Sequence, residues 1–133
     1  MEESLALQRL VVQTLRQSPA LAAAGVAVHD GPPADAKPPF VALGPDSFVS
    51  WSWKGGGGIE HRLVLTAWVG RDGLASAKAL VADVVKAVLA MPRHEAGLKI
   101  VTLRFVRGLV KRDPRRWTEG RMEFLARTVR EDD

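Results

Sequence analysis

At 133 residues, 47% of them hydrophobic, the chain is long enough for one domain that buries roughly two thirds of the surface its unfolded form exposes. The absence of cysteine excludes disulfides, thiolate catalysis and cysteine-ligated zinc or iron–sulfur centres. No apolar run approaches the ~18 to 20 residues of a membrane span, and Met1-Glu2-Glu3 opens no basic-then-apolar leader, so a soluble intracellular protein with no membrane partner is expected.

The net charge of +4 is unevenly placed. Residues 1–50 carry three basic side chains against five acidic ones, whereas residues 99–117 carry seven (Lys99, Arg104, Arg107, Lys111, Arg112, Arg115, Arg116) against Asp113 alone. Such a block either attracts polyanions or acidic partners or is simply a solvated surface.

In chain order, Leu7, Leu10, Val11, Thr14 and Leu15 form one stripe of a helix over residues 4–17, with Ser4 as its N-cap. Ser18-Pro19 ends it, Ala20 to Ala24 add a further turn, and Gly25 supplies the stop. Val26 to Val28 suits a short strand ending in His29-Asp30-Gly31. Four prolines from Pro32 to Pro39 exclude regular structure, and Phe40 to Leu43 forms a second strand closed by Gly44-Pro45.

Residues 46–58, with Trp51, Trp53, Lys54 and the run Gly55-Gly56-Gly57-Gly58, predict a flexible loop whose tryptophans either fold back or meet another subunit. Ile59, His61, Leu63, Leu65, Ala67 and Val69 alternate with Glu60, Arg62, Val64, Thr66 and Trp68, the period of a half-buried strand. Gly70-Arg71-Asp72-Gly73 stops that strand. Leu74, Ala77, Leu80, Val81, Val84, Val85, Val88 and Leu89 then make the stripe of a second helix, stopped by Met91-Pro92.

Lys99 to Val110 reads as a strand, Lys111-Arg112-Asp113-Pro114-Arg115 as a turn, and Trp117 to Val129 as the last strand, before a frayed acidic tail over 130–133. The expected fold is α+β: a mostly antiparallel sheet of about five strands with two α-helices packed on one face. The other face would display Arg62, Thr66, Arg104, Arg121 and Arg127, partly balanced by Glu60 and Glu123, with Val64, Trp68 and Leu125 mixed in for use in assembly.

No enzymatic constellation is visible. His29, His61 and His94 lack metal-ligand spacing; His29-Asp30 reads as a turn and His61 as a packed or rim residue. Phosphate loops run from strand into helix and end in lysine and a hydroxyl, whereas these glycines run into Ile59-Glu60-His61. No catalysis and no cofactor are therefore expected.

Taken in order, these residues resemble the tail-terminator, or tail-completion, proteins of long-tailed bacteriophages and phage-derived gene transfer agents. The resemblance runs through the N-terminal helix to Leu21-Ala22-Ala23, Val28-His29-Asp30-Gly31-Pro32-Pro33, and Pro39-Phe40-Val41-Ala42-Leu43-Gly44. It continues through Glu60-His61-Arg62-Leu63-Val64-Leu65 with Trp68, the helix from Ala75 to Leu89, Leu103-Arg104-Phe105, Arg112-Asp113-Pro114, Trp117 and Phe124.

The resemblance implies a virion protein, made in the bacterial cytoplasm and placed at the head–tail junction. It implies a ring, usually a hexamer, that seats on the tail tube protein, ends its polymerisation and meets the head connector, with DNA passing transiently through the lumen. Trp51, Trp53, Lys54, Gly55 to Gly58 and Trp68 are the expected contacts with a neighbour or the tube. Arg104, Arg107, Lys111, Arg112, Arg115 and Arg116 are the expected lining of the DNA path, by charge alone. Two alternatives stand beside it. One is a nucleic-acid-binding module using the hairpin 99–121, in which Phe105 and Phe124 look like core and only Trp117 is placed to stack. The other is a connector-closure subunit of the neck.

Overall fold

The computed structural model describes residues 2–70, 73–95, 97–113 and 115–131. Helix α1 (Glu2–Arg16) buries Leu7, Leu10, Val11 and Leu15, the stripe set by the 3.6-residue period. It starts ahead of Ser4, which sits in the first turn instead of capping it. Glu2 and Glu3 occupy the positive end of the helix and both pair with Arg130, Glu3 at 2.9 Å. The extra turn is a separate short helix, α2 (Pro19–Ala23), capped where Leu21 N–H donates to Ser18 Oγ and released at Gly25, whose φ is 69°.

Strands β1 (Ala27–His29) and β2 (Phe40–Leu43) run parallel, joined through the proline-rich segment 30–39. Ten residues of extended chain at ~3.1 Å each reach back over a three-residue strand without a helix. β2 pairs with the C-terminal half of β4 (Gly56–Val69), and β3 (Ser47–Trp53) pairs with the N-terminal half of the same edge. At the hand-over, Gly44 N–H donates to Val64 O (2.9 Å), and Val64 N–H, left by both strands, donates to Asp46 Oδ1 (3.3 Å). Burial raises the Asp46 carboxyl above its usual range and that amide pulls it part of the way back.

Helix α3 (Leu74–Leu89) buries Ala77, Leu80, Val84 and Val88 against β4, β6 (Leu98–Arg112) and β7 (Thr118–Arg130). Gly120 gives α3 its seat, since a Cβ there would stand 2.4 Å from Val81 Cγ2. The two-residue β5 (His94–Glu95) borders β6 at Leu98 and Lys99. The sheet order is β1-β2-β4-β7-β6-β5, with β3 beside β4.

The fold is therefore not a mostly antiparallel sheet of about five strands with two helices. It is a mixed, curled half-barrel of seven strands, mostly sheet, with three helices among the described residues. The parallel β1–β2 pair makes it mixed, and β3, expected as loop, brings one added strand. Arg71, Asp72, Pro114, Asp132 and Asp133, part of the expected turns and tail, lie outside the described residues. Glu131 N–H donates to Gly97 O (2.8 Å), so the tail is held at least that far.

The core lies between the helices and the face of β4 bearing His61, Leu63, Leu65, Ala67 and Val69, joined by Met122, Phe124 and Ala126 of β7. His61 is 1% exposed, with Nε2 2.8 Å from Thr128 Oγ1. Burial lowers its pKa below the ordinary 6.5, against a smaller upward pull from Glu3. The unfolded chain thus binds the His61 proton more readily than the folded one. Stability from this group is full above pH 6.5 and falls as pH drops below it, by up to about 1.4 kcal/mol per unit. Thermal melts from pH 7.5 to 5.5 should show the decline, and His61→Gln should flatten it; an unchanged slope in the variant would assign the acid sensitivity elsewhere.

Candidate assembly surface

The tetraglycine is not a flexible tip. Trp53 pairs with Gly56 across a two-residue turn, Lys54-Gly55, in which Gly55 takes φ 93°. Gly56 leaves room for the Trp53 indole, whose Cζ2 would lie 2.8 Å from a Cβ there. Gly57 is exposed and unconstrained. Gly58 stands where β4 meets β7, and a Cβ on it would fall 2.1 Å from Thr128 O. Three of the four glycines are thus required for three different reasons.

Residues paired across strands share a face, so the register defines what the sheet shows on the side turned away from the helices. β4 places Glu60, Arg62, Val64, Thr66 and Trp68 there, opposite Arg127, Leu125, Glu123, Arg121 and Glu119 of β7. On β6, a register shift between Phe105 and Arg107 changes the parity, so Arg104, Arg107, Leu109 and Lys111 all reach this face. With Lys99, opposite Val129, it carries seven cations (Arg62, Lys99, Arg104, Arg107, Lys111, Arg121, Arg127) against three carboxylates (Glu60, Glu119, Glu123).

Two of those carboxylates are engaged: Arg127 Nε lies 2.9 Å from Glu60 and Arg107 Nε 3.3 Å from Glu123. Val64 and Leu125 are buried on the same face, Leu125 flanked in register by Arg62 and Arg104, whose stems can cover it.

Trp51 and Trp53 come together, ring centroids 4.7 Å apart, and the Arg127 guanidinium lies over Trp51 at 5.2 Å. That contact, continued to Glu60, ties the hairpin to β7 and leaves Trp53 the more exposed of the pair, at 46%. Lys54 and Gly55 form the exposed turn. Trp68 does not join them. It lies ten positions along the strand from Gly58, roughly 33 Å away, where it stacks on Phe40 and meets Trp117 edge-on, each ring centroid 6.1 Å from its own.

These three rings floor a groove of about 400 Å³, walled by Pro32 and Pro33 and rimmed by Lys111 and Arg116. Arg116 lies over Trp117 at 5.5 Å, so the ring expected to be free for stacking is already engaged. The six basic residues expected together are divided: Arg104, Arg107 and Lys111 on the sheet face, Arg112, Arg115 and Arg116 at the end of the β6–β7 hairpin, where Asp113 Oδ1 accepts from Arg115 N–H (2.9 Å).

Phe105, expected in the core, is 39% exposed and meets the buried Phe124 edge-on at 5.6 Å. Nine large apolar side chains are exposed among the described residues, and seven stand on two strands: Phe48, Val49 and Trp53 on β3, and Val101, Phe105, Val106 and Leu109 on β6. Alternation along the strands places Arg62 and Arg121 on this face but does not join them to the basic set, and it does not reveal the exposed edges.

Among the described residues no three His, Asp or Glu side chains are placed to hold a metal. The tail completion protein gp17 family profile matches residues 9–129. A chain in the solved virion of a native gene transfer agent particle is 34% identical, with a TM-score of 0.79 over 95% of this chain and 96% of that one. The structure of bacteriophage SPP1 gp17 protein shares the fold at 22% identity, with a TM-score of 0.65 over 100% of this chain and 95% of that one. A comparison with curated proteins found no match. With nearly its whole length covered by the family profile, the chain belongs to the tail completion protein gp17 family.

Proposed function

We propose that the chain is a structural protein of the virion that closes into a ring, a hexamer by the family resemblance, on the last ring of the tail tube. There it ends tube polymerisation and offers the opposite surface to the head connector. The sheet face turned from the helices looks toward the DNA in the lumen. The observation that carries this reading is that face, with seven cations against three carboxylates, set between two strands that expose apolar side chains.

A face of that kind attracts the phosphate backbone without reading bases, and its two internal ion pairs keep the attraction modest. Weak contact suits a conduit through which DNA must move. The exposed turn at Lys54-Gly55, with Trp53, is the part of the hairpin that reaches the tube or a neighbour.

Particles assembled without the chain should carry tails of irregular, excess length and heads that fail to join them, both visible by negative stain. Tails of normal length joined to filled heads would refute the capping role.

A further inference from the structure

We propose that β6 of one copy adds as a strand to β3 of the next, closing the ring by backbone pairing between two unlike edges. This rests on the ring proposed above and specifies how it is built. From Val101 to Lys111, β6 has no strand neighbour on the side away from β7, and β3 has none on the side away from β4, among the described residues. Each edge is a row of unsatisfied amide and carbonyl groups, and these edges hold seven of the nine exposed large apolar side chains.

Strand direction selects the pairing. β3 is antiparallel to β4, β4 to β7 and β7 to β6, so β3 and β6 run oppositely within one copy. When copies stand side by side in the same orientation, β6 of one meets β3 of the next antiparallel, with the cationic faces continuous. Such a contact joins two different patches and closes only by rotation, as in a ring.

Charge disfavours the symmetric alternative. A β6–β6 pair would bring Arg104, Arg107 and Lys111 against their own copies, whereas β3, Ser-Phe-Val-Ser-Trp-Ser-Trp, has no charge and offers indoles to arginine, as Trp51 already does to Arg127. The register shifts at Val101 and Val106 interrupt the β6 edge and leave an unbroken run from Arg107 to Lys111, against the seven residues of β3.

The cysteine-free chain makes the test direct. Val49→Cys on β3 is combined with Arg104→Cys, Leu109→Cys or Lys111→Cys on β6, all on one sheet face, and assembled particles are mildly oxidised. At least one double variant should give a covalent ladder ending in a closed oligomer, while every single variant stays monomeric on a denaturing gel. Dimers from a β6 cysteine alone would overturn the proposal in favour of symmetric pairing, and so would a β6 cysteine captured by Ala27→Cys on β1. Rings at the junction with no crosslink in any combination would overturn the edge pairing and leave the proposed function standing. Particles without rings would remove both.

Discussion

Replacing Gly58 by alanine is expected to destabilise the fold by about 3 kcal/mol, lowering Tm by roughly 10 °C, whereas the same change at Gly57 should stay within about 0.5 kcal/mol of the parent. The two glycines are adjacent in one strand and identical to any reading of composition. At Gly58 the new methyl would fall 2.1 Å from Thr128 O and 3.0 Å from Val129 Cγ1, and the obstructing atom is backbone in the middle of the domain, unable to rotate aside. At Gly57 the nearest atom is 3.5 Å away, an ordinary contact, and the position is exposed. Part of the gain from stiffening the unfolded chain would accrue at both sites, so the difference between the variants isolates the clash. Thermal and urea melts of the two proteins decide it; equal stabilities would mean that β4 does not approach β7 as described. Removing all four glycines would take away the start of β4 along with the turn, and so would not separate capping from folding.

The second large effect concerns the cationic sheet face. Changing Arg62, Arg104 and Arg121 together to glutamine should leave Tm within a few degrees, because all three side chains are exposed and none is ion-paired among the described residues. The parent, if it meets about four phosphates, loses duplex DNA affinity on the order of 100-fold between 50 and 200 mM salt. With three contacts removed, the same change of salt should cost only about fourfold, and affinity at 50 mM should fall toward the limit of detection. Fluorescence anisotropy with duplexes of unrelated sequence reads both quantities. An unchanged salt slope in the variant would turn this face away from the DNA and leave the hairpin end, with Arg112, Arg115 and Arg116, as the remaining basic surface.

What the sequence made legible follows from which faces are covered. The stripes of α1 and α3 and the alternation from Ile59 to Val69 were readable because each of these elements buries one side and exposes the other. β3 was not, since both its faces are largely exposed and Ser-Phe-Val-Ser-Trp-Ser-Trp carries no contrast between them. The tetraglycine misled for a related reason: a glycine required by a neighbouring indole or a crossing carbonyl looks the same as one in a mobile loop. Parity along β6 was hidden too, because Val101 and Val106, where the register shifts, are ordinary strand residues. That shift is what moves Arg107 and Lys111 onto the face of Arg104. Trp68 shares a strand with the glycines but not a site, and only the pairing of β2 and β7 around it shows that its partners are Phe40 and Trp117.

The most direct measurement is an electron cryo-microscopy map of the assembled particle at its neck. An annulus of copies of this chain is expected between the last tube ring and the connector, with Arg62, Arg104 and Arg121 facing the central channel. Density for the chain elsewhere in the particle, or an annulus whose helices line the channel, would contradict it.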